Sequence, residues 1–204
     1  MILPMASANP IDGKQILRAF DAWTLYWHQS PVVPSLAEGF DAAIERLHLA
    51  NFELWHQEDT ARDIHSGDAA VATVKRAIDV INQRRNNQIE RCDELLLEDL
   101  STKNLPNTQA ELHSETPGMM LDRLSIMSLK AYHTREEIER IPSPPGHRER
   151  NLRRLAILET QRHDLATCLE RMWQRVLRGE LRFQIYRQLK MYNDPDLNPV
   201  LYRS

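Results

Sequence analysis

Glycine is scarce, six in 204 residues. A many-turned β fold needs glycines at its tight turns, so this scarcity, with long uninterrupted periodic stretches, favours helices. Cysteine is scarcer still. Cys92 and Cys168 lie far apart and outside any C-x-x-C spacing, which excludes a disulfide framework and fits reduced, buried, inert thiols in a cytoplasmic protein. No run approaches the roughly 20 apolar residues of a membrane span, and the opening residues MILPMASANPIDGK carry no basic leader, so neither insertion nor export is expected. A basic excess is missing too: 26 Lys and Arg against 29 Asp and Glu leave a net charge of −3, without the footprint that drives nucleic-acid binding. Gly-rich phosphate loops, nucleophile elbows and zinc-ligand spacings are also lacking.

What remains is an ordinary globular composition, 42% hydrophobic and 27% charged, in a chain long enough for one core. Residues 1–204 read as a single domain with residues 1–8 disordered. The first helix is expected from Asn9, with Pro10 at its first position, to about His28, and Pro31 and Pro34 close it. Ser35 with Glu38 three residues on forms a capping box for a second helix reaching Asp63. Phe40, Ile44, Leu47, Leu54 and Ala61 line one side of it, with Asn51 and Glu58 at positions where the stripe calls for apolar residues. Gly67 suits a left-handed cap, and Asp68 starts a third helix over 69–100. Its seam runs through Val71, Val74, Ile78, Ile81, Ile89, Cys92 and Leu96, with Arg85 inside it. Beside the seam, Lys75, Asp79, Asn82 and Asn86 make a polar stripe facing water.

Residues 101–118 read as a polar connection across the bundle end. Thr116-Pro117 caps a fourth helix over 119–140, and a proline-rich loop leads into the last long helix, which Arg162 interrupts and Gly179 ends. A short helix over 181–192 precedes a turn-rich tail. The fold class that follows is all-α, a bundle of four long helices with one additional helix at each end.

Glu58, Arg85 and Arg162 place charge inside three apolar seams. A buried charge is costly unless paired, so these residues imply either a salt-bridge layer that fixes register or a polar pocket. In the pocket reading the ligand-binding set is Glu58, Asp59, Arg62, Arg85, Asp122 and Arg123, with arginines forking onto phosphate oxygens. Glu58, Asp59 and Asp79 could instead hold Mg²⁺, which prefers oxygen ligands. That set broadly resembles the all-α nucleotide pyrophosphatases, although the E-x-x-E pairs of those enzymes are not intact here. Glu45-x-x-His48 and Glu53-x-x-His56 lie two turns apart on one helix and cannot form a single di-iron site, so His48 and His56 read as packed or surface residues. No residue is assigned a catalytic role.

Four segments, LHLANFELWHQEDTARD (47–63), VKRAIDVINQRRN (74–86), ETPGMMLDRLSIMSLKAYH (115–133) and RFQIYRQLKMYNDPDLNPVLY (182–202), resemble a bacterial family, domain-of-unknown-function family 4254. The resemblance implies an association with glycosyltransferase and envelope-polysaccharide genes, but no residue roles. Three functional expectations follow. The first is a cytoplasmic bundle binding a phosphorylated or nucleotide-sugar ligand, or a glycosyltransferase-type partner. The second is a Mg²⁺-dependent phosphoanhydride hydrolase. The third is a non-enzymatic interaction module docking through Trp23, Trp27 or the tail Tyr192–Tyr202. Oligomeric state stays open.

Overall fold

Thr116 accepts a hydrogen bond from the Met119 N–H and Pro117 follows at the first helical position, so α4 (Pro117–Glu139) has the cap its sequence calls for. The computed structural model describes residues 10–33, 37–62, 67–187, 189 and 196–197. Around α4 stand α1 (Gly13–Gln29), α2 (Phe40–Ala61), α3 (Asp68–Ser101) and α5 (His147–Leu177), an all-α bundle. The α2 helix packs chiefly on α3, α4 chiefly on α5, and α1 lies against α4 and α5. Phe20, Ile44, Leu47, Leu121, Leu124 and Trp173 are among the fully enclosed core residues. Among the described residues no helix is long and apolar enough to cross a membrane.

Several helix ends differ from expectation for local reasons. Asp12 rather than Asn9 caps α1, accepting from the Gln15 N–H at 2.9 Å. Ser35 lies outside the described residues, Glu38 precedes the helix, and α2 starts after Gly39, whose φ of 97° side-chain-bearing residues rarely adopt. Gly67 is extended, with φ −71°, and is itself the N-cap of α3, so Asp68 is the first helical residue and no left-handed cap forms there. The last long helix begins at His147, within the stretch 141–150 that the sequence reads as a proline-rich loop.

The expected helix over 181–192 is absent as far as the chain is described. Leu181–Arg182 form β2, which pairs in parallel with β1 (Glu111–Leu112) inside the α3–α4 connection, and residues 183–187 are not helical. Leu181 and Phe183 are buried while Arg182 bonds the Ala110 carbonyl. That two-residue alternation is what a strand, not a helix, requires. The tail from Tyr192 to Tyr202 lies mostly outside the described residues, as do residues 1–8. Trp23 and Trp27 are buried in the core rather than displayed for docking. Both cysteines are free, but only Cys92 is buried; Cys168 is exposed, on a face of α5 that the seam of Leu165 and Leu169 turns outward.

Candidate functional site

On α4, Asp122, Ser125 and Ser128 recur at three-residue steps and therefore share one face, and all three are buried. Each meets a polar side chain from another helix. Arg85 of α3 forks onto Asp122 through Nε, at 2.7 Å, and Nη2, and Asn51 of α2 donates to the same carboxylate at 2.8 Å. The pairing with Asp122 pushes the Arg85 pKa above its usual value, so the guanidinium is permanently charged. Asn51 also donates to the Ser125 hydroxyl, which lies 2.8 Å from His48 Nδ1, while His48 Nε2 meets Thr24 Oγ1 and the Phe20 carbonyl. Burial holds the His48 pKa down to about 3, so the ring is neutral. Ser128 accepts from Arg162, whose other donors reach the Leu17 carbonyl and Asp21.

Two of the three seam charges are thus placed inside the bundle and paired. Glu58 is not. By that point α2 has left the core, and Glu58 lies partly exposed in an i,i+4 pair with Arg62 at 3.1 Å. His48 is packed, as expected, and Glu53 pairs with Arg84 of α3 rather than turning inward.

Above the Asp122–Arg85 pair opens a cavity of about 470 Å³ between α2, α3 and α4. Glu58, Asp59, Arg62 and Arg85 all line it, with Asn51, Asn82, Trp55, Leu54, Ile126 and Leu129 completing the wall. Asp122 lies beneath, reached through Arg85. Arg123 does not join this group: it is exposed, pairs with Glu115, and borders a different depression beside Lys130, Asp164 and Cys168. Asp79 is exposed on α3, and the oxygens of Glu58, Asp59 and Asp79 do not gather within 4.8 Å of one another.

A second constellation lies beside the cavity. His28 from the last turn of α1, His56 from α2 and His133 from α4 bring one ring nitrogen each within 4.8 Å of the others. His28 Nδ1 sits 2.8 Å from the Thr24 carbonyl, which can only accept, so Nδ1 carries the proton. His133 Nδ1 likewise lies 2.7 Å from the Glu136 carboxylate. Both Nε2 atoms are buried without a hydrogen-bond partner, an arrangement that costs about 1–3 kcal/mol per orphaned group. Burial is the leading cause that lowers the pKa of His56 and of His133. Tyr132 stacks on His28 at 4.4 Å and Trp55 on His133 at 4.6 Å. Trp55 therefore has one face toward the histidines while it also walls the cavity.

A family model described as Protein of unknown function (DUF4254) matches residues 41–185, from α2 past β2. The chain belongs to the DUF4254 family. No curated protein and no solved structure matches it. The DUF4254 match takes in His56, His133 and the whole Asn51–Asp122–Arg85 cluster, whereas α1 and His28 precede it. Sequence reading missed His28 and His133 because each is the sole member of the cluster on its helix, with no ligand spacing to mark it. The one available signal was His133-x-x-Glu136, a single helical turn that lets the carboxylate reach the ring.

Proposed function

We propose that this DUF4254 protein binds a small phosphorylated ligand, of the sugar-phosphate or nucleotide-sugar class, in the cavity between α2, α3 and α4, and serves cytoplasmic steps of cell-envelope polysaccharide synthesis. One observation carries the reading: Arg85 lines the cavity while two of its nitrogens are fixed on the buried Asp122 carboxylate. A guanidinium held this way is charged and pre-oriented, and Nη1 is left for a phosphate oxygen. Arg62 adds a second cation. Its bond to Glu58 is an exposed i,i+4 pair, worth at most about 1 kcal/mol, so an anion can recruit it cheaply. Trp55, Leu54, Ile126 and Leu129 offer an apolar wall for a sugar or base. The bacterial and polysaccharide setting rests on the family resemblance alone.

A thermal-shift panel of nucleotide sugars, nucleotides and sugar phosphates tests the assignment. A ligand at 100 times its dissociation constant stabilises the protein by about 2.7 kcal/mol. The shift should vanish in Arg62→Ala and shrink strongly in Arg85→Lys, which keeps a charge beside Asp122 but loses the fork. A panel without any shift, or shifts that both variants preserve, would remove the reading.

A further inference from the structure

We infer that His28, His56 and His133 form a binding site for one first-row transition-metal dication of the zinc type.

The donors are already poised for it. A metal-ligating imidazole is held by hydrogen-bonding its second ring nitrogen to a carbonyl or carboxylate, which fixes the tautomer and ring orientation. His28 and His133 are held in this way, by the Thr24 carbonyl and by Glu136. Each keeps a buried Nε2 without a hydrogen-bond partner, and one ring nitrogen from each of the three histidines lies within 4.8 Å of the others. Neither Nε2 is satisfied by a side chain or backbone group, and a bound cation would satisfy both.

Ring placement agrees with coordination. The ring centres are 5.2 Å apart for His28 and His56, 5.2 Å for His28 and His133, and 5.6 Å for His56 and His133, with interplanar angles of 69°, 70° and 81°. Tetrahedral zinc, with Zn–N bonds of about 2.0–2.1 Å, spreads imidazole centres about 5 Å apart. The rings therefore need little movement to close on an ion.

The surroundings favour a cation as well. His28 sits in the last turn of α1, where the helix dipole is negative. Burial lowers the pKa of His56 and of His133, and the nearby Asp59 and Glu136 carboxylates act against that lowering. Three imidazoles with no carboxylate in the first set of donors select zinc, copper, nickel or cobalt over magnesium or calcium. Three protein ligands also leave a fourth position open, the pattern of reactive zinc sites rather than closed structural ones. His133 borders a further cavity of about 440 Å³ with Lys130, Thr134 and Arg154.

The test uses the full chain without a histidine tag, stripped by chelator and titrated with zinc chloride by calorimetry. Cobalt(II) serves as an optical probe. One equivalent of zinc should bind, and cobalt should give the intense visible absorption of four- or five-coordinate geometry. Glu136→Gln, which removes only the carboxylate holding His133, should weaken zinc by about 10–100-fold. His56→Ala and His133→Ala should weaken it further and abolish the cobalt spectrum, while the exposed His163→Ala leaves both unchanged. Should an alanine variant fail to fold by circular dichroism, the graded loss in Glu136→Gln carries the comparison. Absence of stoichiometric zinc binding by the native chain would overturn the inference, and so would binding that the folded His56, His133 and Glu136 variants all retain. No organic ligand enters these readouts, so the result is independent of the phosphate reading.

Discussion

At the scale of single residues, two buried titrating groups pull stability in opposite directions with pH. His48, neutral in the fold with its pKa held near 3 by burial and facing Arg162, takes up a proton on unfolding at any pH between its folded value and about 6.5. Stability is therefore lost as pH falls through that window, to a limit on the order of 5 kcal/mol. Asp93 does the reverse. Burial pushes its pKa up to about 6, against the pull of Thr116 and the Gly118 N–H, with Glu90 nearby. The folded state holds a proton there that the unfolded chain releases, so this contribution is full below about pH 4 and disappears as pH rises through 6. Its limit is on the order of 3 kcal/mol. Asp93→Asn keeps the acceptor for Gly118 but not the proton uptake. The variant should show a steeper fall in its urea midpoint between pH 6 and 4 than the native protein; parallel curves would mean Asp93 titrates normally. Which residues were legible at this scale follows from the same logic of burial. Asn51, Arg85 and Arg162 stood out because a polar side chain at an apolar position must find a partner, and each did. Glu58 broke the same rule in sequence, yet it sits where α2 leaves the core, and where a helix leaves its core is set by its neighbours.

At the scale of elements, periodicity identified the four long helices, while their ends depended on details with no period. The β1–β2 pair joins residues some 70 apart in the chain through two residues on each side, and so short a pairing leaves no alternation long enough to read. One close approach was equally hidden. A Cβ built on Gly118 would lie 2.4 Å from the Ile89 carbonyl and 3.0 Å from Asp93 Cγ, so the first turn of α4 presses directly on the backbone of α3. Neither partner is the free end of a flexible side chain, and relief requires the helices to part. Gly118→Ala should cost roughly 1–3 kcal/mol in urea unfolding. A cost near zero would show that α3 and α4 separate easily, which would also loosen the Asp122–Arg85 contact between the same two helices.

For the whole molecule, the histidine cluster ties together three helices that pack in different pairs, since α2 lies chiefly on α3 and α4 chiefly on α5 while α1 crosses to α4 and α5. Only the folded chain brings residues 28, 56 and 133 together, which is why no spacing in the sequence marked them. An ion that binds the native state alone must then stabilise the whole bundle by mass action. At 100 times its dissociation constant the gain is about 2.7 kcal/mol, and for a chain of this length that corresponds to a rise in melting temperature of roughly 5–10 °C. The effect should be uneven in space. His28 is the ligand from α1, the helix that lies before the DUF4254 match, so zinc should slow amide exchange most at the C-terminal turns of α1, beside the Thr24 carbonyl that holds His28. Chelation should reverse both changes. Exchange in α1 that ignores zinc, with protection confined to α2 and α4, would mean that His28 is not a ligand and that the ion is held by His56 and His133 with a different third donor.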